Sequence, residues 1–233
     1  MKLLLFDVDG TLVHTGGAGL KALNKAFHQL YDLDDAMNGV AAAGKTDKII
    51  VREVFEKKLN RPGTPTDISA VLELYLIHLD DEMRHGTYTV LEGVVDLLEL
   101  LSRHPERFLL GLGTGNLDKG ARIKLEPAGL NRYFAFGGFG SDAENRAELL
   151  RAGIRRAESL RGHPFPLSDI YIIGDTILDV QAGKAVGAVT VAVAAGSGRK
   201  DDLVASRADL LIDSFADPGP LLSHLGIAPL VRT

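Results

Sequence analysis

Two aspartates stand two residues apart near the head of the chain, in Asp7-Val8-Asp9-Gly10-Thr11, directly after the apolar run Leu3 to Phe6. Gly10 permits the chain to bend, and a bend lets both carboxylates face one crevice. One carboxylate can then attack a phosphorus while the other handles the proton of the leaving group. Two further segments have the same form. Phe108 to Leu112 runs into Gly113-Thr114-Gly115-Asn116, and Ile170 to Ile173 runs into Gly174-Asp175-Thr176, with Asp179 close behind. Acids gathered on one rim repel each other unless protons or a cation lie between them. Oxygen ligands alone, with no thiolate or histidine cluster, suit Mg²⁺, which would also offset the repulsion between a carboxylate and a phosphate.

These residues need a scaffold that delivers them to one place. Short, continuous apolar runs read as buried strands of a parallel sheet covered on both faces. Besides the three above, Val189 to Val193 and Leu210 to Ile212 have this character. Helical stripes alternate with them: Val94, Leu97, Leu98 and Leu101; Leu149, Leu150, Ile154 and Ala157; and Val180 to Val186. This alternation predicts an α/β fold, a Rossmann-like, doubly wound parallel sheet, in which ligands sit beyond the carboxyl ends of the strands. From Gly16 to Tyr88 the rhythm breaks. Ala18 to Tyr31, Thr46 to Leu59 and Thr66 to His85 read as helices, Asn60 to Gly63 as a turn, and Thr66 as the cap of the third helix. The expected division is a core of residues 1–15 and 89–233 with an α-helical cap of residues 16–88 inserted between the first strand and the rest of the sheet.

The ordered set DVDGT, Thr114 and GDTILD resembles the haloacid dehalogenase superfamily, and the early helical insertion resembles that family's cap. The resemblance covers nearly the whole chain. It implies that Asp7 is the nucleophile and a metal ligand. Asp9 would be the general acid/base, with its backbone carbonyl on the metal, Asp175 the third protein ligand, and Asp179 its support. Thr114 would hydrogen-bond the phosphoryl oxygens, helped by backbone N–H groups at Gly115 and Asn116 where the next helix starts. The dehalogenases and phosphonatases of the family lack an aspartate two residues after the nucleophile, so Asp9 points to phosphate-ester hydrolysis, and the chain looks similar to phosphoglycolate phosphatases. One departure concerns the lysine that usually precedes the strand ending here at Gly174: no lysine lies between Lys124 and Lys184. Arg146, at the start of the helix before that strand, is the cation placed to do the same charge work; Arg151 should face elsewhere.

Gly39 to Thr46, GVAAAGKT, matches the phosphate-loop pattern of nucleotide hydrolases. Such a loop needs a buried strand before it, and Asp32, Asp34, Asp35 and Asn38 precede this one. The better expectation is a cap loop, Gly44 to Asp47, that descends on the site, with Lys45 and Asp47 facing the substrate. His14 and Thr15 could line the same crevice. A non-catalytic phosphate-binding module on the same fold is the other alternative, although no acid of the set is missing. The bulk properties agree with a cytoplasmic enzyme acting on a small phosphorylated metabolite. The 233 residues carry a net charge of -5, without the basic excess that nucleic acid or an acidic membrane would call for. There is no cysteine, which excludes disulfides and thiolate catalysis, and no apolar run approaches a membrane span.

Overall fold

The computed structural model describes residues 1–196 and 200–227; the parts of the expected core at 197–199 and 228–233 lie outside the described residues. In chain order the strands are β1 (Lys2–Phe6), β2 (Val13–His14), β3 (Thr89–Val90), β4 (Phe108–Thr114), β5 (Gly137–Phe139), β6 (Ile170–Gly174), β7 (Val189–Val193) and β8 (Leu210–Ile212). The α-helices are α1 (Ala18–Tyr31), α2 (Asp47–Lys58), α3 (Pro65–His85), α4 (Val94–Ser102), α5 (Asp118–Leu125), α6 (Arg146–Arg161), α7 (Ile177–Ala185), α8 (Lys200–Ser206) and α9 (Gly219–His224).

Six strands form one sheet in the order β5-β4-β1-β6-β7-β8, and every pairing in it is parallel. The residues of β1 explain why it lies inside. Leu4 and Phe6 pack with Leu97, Leu101 and Leu125 on one face, while Leu3 and Leu5 pack with Leu149, Leu150 and Ala157 on the other. Alternate side chains of a strand point to opposite faces, so an apolar run without alternation must be covered twice. The strand order reverses at β1: the chain steps outward through β4 and β5 on one side, then through β6, β7 and β8 on the other. In such sheets the reversal opens a crevice at the carboxyl ends of the strands. Register aligns the three strand ends that matter, because Phe6 stands opposite Leu112 of β4 and Ile173 of β6.

Helices α1, α2 and α3 pack around their own apolar cluster, which includes Phe27, Phe55, Val71, Tyr75 and Leu79. Two features there differ from expectation. Strands β2 and β3 pair antiparallel, Val13 opposite Val90 and His14 opposite Thr89, so the outgoing and returning connections of the 16–88 segment are bound to one another. Two-residue strands leave no periodicity to read. Also, α3 begins at Pro65, not Thr66: the Thr64 side chain accepts from the Asp67 N–H, and the Asp67 carboxylate accepts from the Thr64 N–H. Proline at the first helical position and a capping box one residue before it outweigh Thr66.

No strand leads directly into Gly39; the chain reaches it from α1 through turns. This removes the support that a nucleotide-binding phosphate loop requires. Strand β5 also escaped expectation, since Gly137-Gly138-Phe139 has little strand propensity and takes its extended form from pairing with β4 at the sheet edge. No helix of the described residues is long and apolar enough to cross a membrane.

The capping geometry separates two threonines. Thr64→Ala should lower stability by about 1 kcal/mol in urea unfolding, whereas Thr66→Ala should change it by less than about 0.5 kcal/mol. A larger loss at Thr66 would contradict the observed start of α3.

Candidate active site

The loop after β1 is wound tightly. Gly10 N–H donates to the Val13 carbonyl at 2.9 Å, and Leu12 N–H donates to the Val8 carbonyl at 2.9 Å. Gly10 has φ +78°, and a Cβ there would stand 2.2 Å from Asp175 Oδ2. Two independent constraints thus require glycine: a left-handed backbone and contact with an acid from another strand. Thr11 Oγ1 donates to Asp175 Oδ1 at 3.4 Å and joins the same two loops.

Asp7, Asp175 and Asp179, all buried, bring one carboxylate oxygen each within 4.8 Å of one another. Asp179 has two tasks. Its Oδ2 accepts from the Thr176 N–H at 3.0 Å and completes a capping box at the start of α7, while Oδ1 pairs with Arg146. Arg146 also lies 3.0 Å from Asp7 Oδ2 and donates to the Gly44 carbonyl at 3.0 Å. Burial pushes the Asp7 carboxyl up to about 7; Arg146 pulls it down, and Asp179 and Asp175 push it further up. Three buried carboxylates facing one guanidinium leave negative charge to be offset. A donor set made only of oxygen fits a hard divalent cation, so this group could hold a metal. Arg151 is turned away, as expected, and pairs with Glu148 at the surface.

Asp9 does not join that group. Its Oδ2 accepts from Lys124 Nζ at 2.6 Å and from Asn116 Nδ2 at 2.8 Å. Asn116 is a hub: Nδ2 also donates to Thr114 Oγ1 at 2.8 Å, and Oδ1 accepts from Lys124 at 2.6 Å. Burial would raise the Asp9 carboxyl, but Lys124 and the two hydrogen bonds outweigh it and hold Asp9 below the usual carboxylate range. Lys124 is the site residue that sequence reasoning missed. It lies on the buried face of α5 with Gly120, Ala121 and Leu125, and a lysine on an otherwise apolar stripe was the available signal.

The Gly44–Asp47 loop does descend on the strand ends. Asp47 N–H donates to the Gly115 carbonyl at 3.0 Å, and Asp47 Oδ2 accepts from the Leu117 N–H at 2.8 Å. A Cβ at Gly115 would lie 2.3 Å from the Lys45 carbonyl, so only glycine lets the loop approach this closely. Lys45 and Asp47 both line the cavity at the strand ends, and both side chains also have protein partners. Asp47 is buried as a clasp on the start of α5, and Lys45 Nζ lies 2.5 Å from Glu53 Oε1 on α2. Together these parts enclose a cavity of about 520 Å³ whose walls include Asp7, Asp9, Thr114, Arg146, His14 and Thr15. A larger hollow of about 820 Å³ runs along α6 and contains none of the strand-end acids.

Burial pushes the Asp47 carboxyl up to about 6, against the pull of Lys124 and the Leu117 N–H, with Asp9 adding to the rise. A carboxyl raised by folding contributes stability below its ordinary value of 3.8 and loses it as pH rises through about 6. Asn at this position keeps an acceptor for the Leu117 N–H and does not ionise. Asp47→Asn should therefore gain on the wild type by up to roughly 3 kcal/mol between pH 4 and pH 7. Urea unfolding of both proteins at the two pH values measures this; a difference that does not change with pH would contradict the assignment.

Residues 4–193 match the haloacid dehalogenase-like hydrolase family. Among curated proteins the chain is similar to phosphoglycolate phosphatases. One, from Agrobacterium fabrum (strain C58 / ATCC 33970), is 27% identical over 94% of this chain and 91% of the relative. Another, from Salmonella paratyphi A (strain ATCC 9150 / SARB42), is 25% identical over 95% and 91%. Among solved structures, CbbY from Rhodobacter sphaeroides in complex with phosphate superposes with a TM-score of 0.76 at 20% identity, over 97% of this chain and 100% of that one, a likeness of fold. The match over most of the chain, together with acids assembled at the ends of β1 and β6, decides the family: the protein belongs to the haloacid dehalogenase-like hydrolases.

Proposed function

We propose that the chain is a Mg²⁺-dependent phosphatase, similar to phosphoglycolate phosphatases, that hydrolyses a small phosphomonoester through an aspartyl-phosphate on Asp7. The observation that carries this reading is the buried group Asp7, Asp175 and Asp179 beside Arg146, with Asp9 held apart from it. Arg146, together with a cation bound by the acid group, would keep Asp7 ionised for attack.

Lys124 keeps Asp9 ionised before substrate enters; in this scheme the negative charge of the incoming phosphate favours its protonation, and Asp9 takes up a proton from water. In the first step an Asp7 oxygen forms a bond to phosphorus and the bond from phosphorus to the ester oxygen breaks, with Asp9 giving that oxygen this proton. In the second, Asp9 takes a proton from a water whose oxygen attacks the phosphorus, and the bond to Asp7 breaks. Phosphate leaves and both aspartates regain their starting states. Thr114, the Gly115 and Asn116 backbone, and Arg146 hold the phosphoryl oxygens in this scheme. Asp7, Asp175, Asp179 and the Asp9 carbonyl would hold Mg²⁺, which supplies charge neutralisation where phosphate meets carboxylate.

Residues 16–88 act as the cap in this reading. The paired connections β2 and β3, and the clasp between Asp47 and the start of α5, support a unit that excludes bulk water when docked.

Asp7→Asn should reduce turnover of p-nitrophenyl phosphate by at least about 10⁴-fold while leaving the thermal transition and circular dichroism in place. Wild-type activity in that variant would refute the nucleophile. Chelation of divalent ions should abolish turnover and Mg²⁺ should restore it; activity that survives exhaustive chelation would remove the metal from the scheme.

A further inference from the structure

The cavity has two unlike ends. At the strand ends it is charged. On the side of the proposed cap its apolar wall is formed by Leu20, Leu23, Ala42, Ala43 and Ile50, and Tyr75 lines it too. Leu23 and Ile50 are otherwise buried, but Leu20 keeps 42% of its surface exposed while lining the cavity, an apolar side chain that a ligand could cover.

The cations of the cavity are already engaged. Lys45, Lys124 and Arg146 line it, and each has a carboxylate partner: Glu53 at 2.5 Å, Asp9 at 2.6 Å and Asp7 at 3.0 Å. Glu53 is shared with Lys57 at 2.7 Å, which holds it on the outer side of α2. The walls also carry the carboxylates of Asp7, Asp9 and Asp47. A charged group placed against apolar walls without a free counter-ion loses hydration that nothing replaces. A second anionic group on the substrate, beyond the phosphoryl group itself, therefore meets no unpaired lysine or arginine here. Size points the same way. A cavity of about 520 Å³ falls within the range that encloses ligands far larger than a two-carbon acid.

We infer that the substrate is a phosphomonoester whose alcohol part is uncharged and carries an apolar body, lying against Leu20, Leu23, Ala42, Ala43 and Ile50. The inference rests on the phosphatase reading and narrows it: the leaving alcohol is unlike glycolate and unlike a second phosphate ester.

Benzyl phosphate and 2-phosphoglycolate test it, since both are phosphate esters of primary alcohols and differ in what the alcohol carries. With Mg²⁺ and the wild-type protein, kcat/KM should favour benzyl phosphate by at least about tenfold. Equal or better use of 2-phosphoglycolate would overturn the inference while leaving the phosphatase reading in place. If neither ester nor p-nitrophenyl phosphate is hydrolysed, the phosphatase reading falls, and calorimetric binding of the two esters to the same protein decides the inference by which binds more tightly. Glu53→Gln supplies an independent arm. It frees Lys45 at the cavity wall without touching the strand ends, so the preference should shift several-fold toward 2-phosphoglycolate. An unchanged preference in that variant would overturn the claim that the Lys45–Glu53 pair excludes anionic alcohols.

Discussion

Like charges buried together are the constraint around which this molecule is arranged. Asp7, Asp175 and Asp179 come from two strand ends and the first turn of a helix, and water cannot screen them from one another. Arg146 answers part of that charge, and the remainder suits a divalent cation. An isolated buried carboxylate would cost far more than any one contact returns, so the surroundings must over-determine each acid. They do: Asp179 is locked by the capping box with Thr176, Asp175 accepts from Thr11, and Asp7 N–H donates to the Ile173 carbonyl at 2.9 Å.

The sheet makes this concentration of charge possible. Strand β1 lies between β4 and β6, with register that brings the ends of all three to one level. Apolar cover on both faces holds the strands rigid, so precision at the rim comes from packing many residues away. The price of that rigidity is that substrate selection must come from somewhere else. The helical 16–88 segment is suited to it because it has its own apolar cluster, is joined to the sheet through β2 and β3, and lays one loop across the strand ends.

Two polar systems meet in the cavity and remain distinct. The group around Asp7 and Arg146 is suited to phosphate and cation. The group around Asp9, Asn116 and Lys124 holds a carboxylate low and apart. In the proposed mechanism this separation lets two aspartates two residues apart in sequence do different work. Asp47 and Tyr75, both buried, act electrostatically on Lys124, the partner of Asp9, so the Gly44–Asp47 loop and Asp9 are electrostatically coupled.

Several features were legible from residue order alone. Unbroken apolar runs announced β1, β4, β6, β7 and β8, and the spacing of apolar positions announced α1 through α4, α6 and α7, because burial on two faces or along one stripe leaves a local pattern. The position of Asp7, Asp9, Thr114 and Asp175 at strand ends was legible for a related reason: each ends such a run or follows it within three residues. Arg146 was identifiable because it opens a helix leading to β6. Strand β5 and the β2–β3 pair were not, since their extended form comes from a partner distant in sequence. Nor could sequence assign Lys124, which reaches Asp9 across 115 positions, or decide whether Lys45 meets a substrate or Glu53. Strand ends and helix stripes are local consequences of hydrophobic pattern, whereas the partner of a buried charge depends on which surfaces the folded chain brings within a few ångströms, and that only the tertiary structure decided.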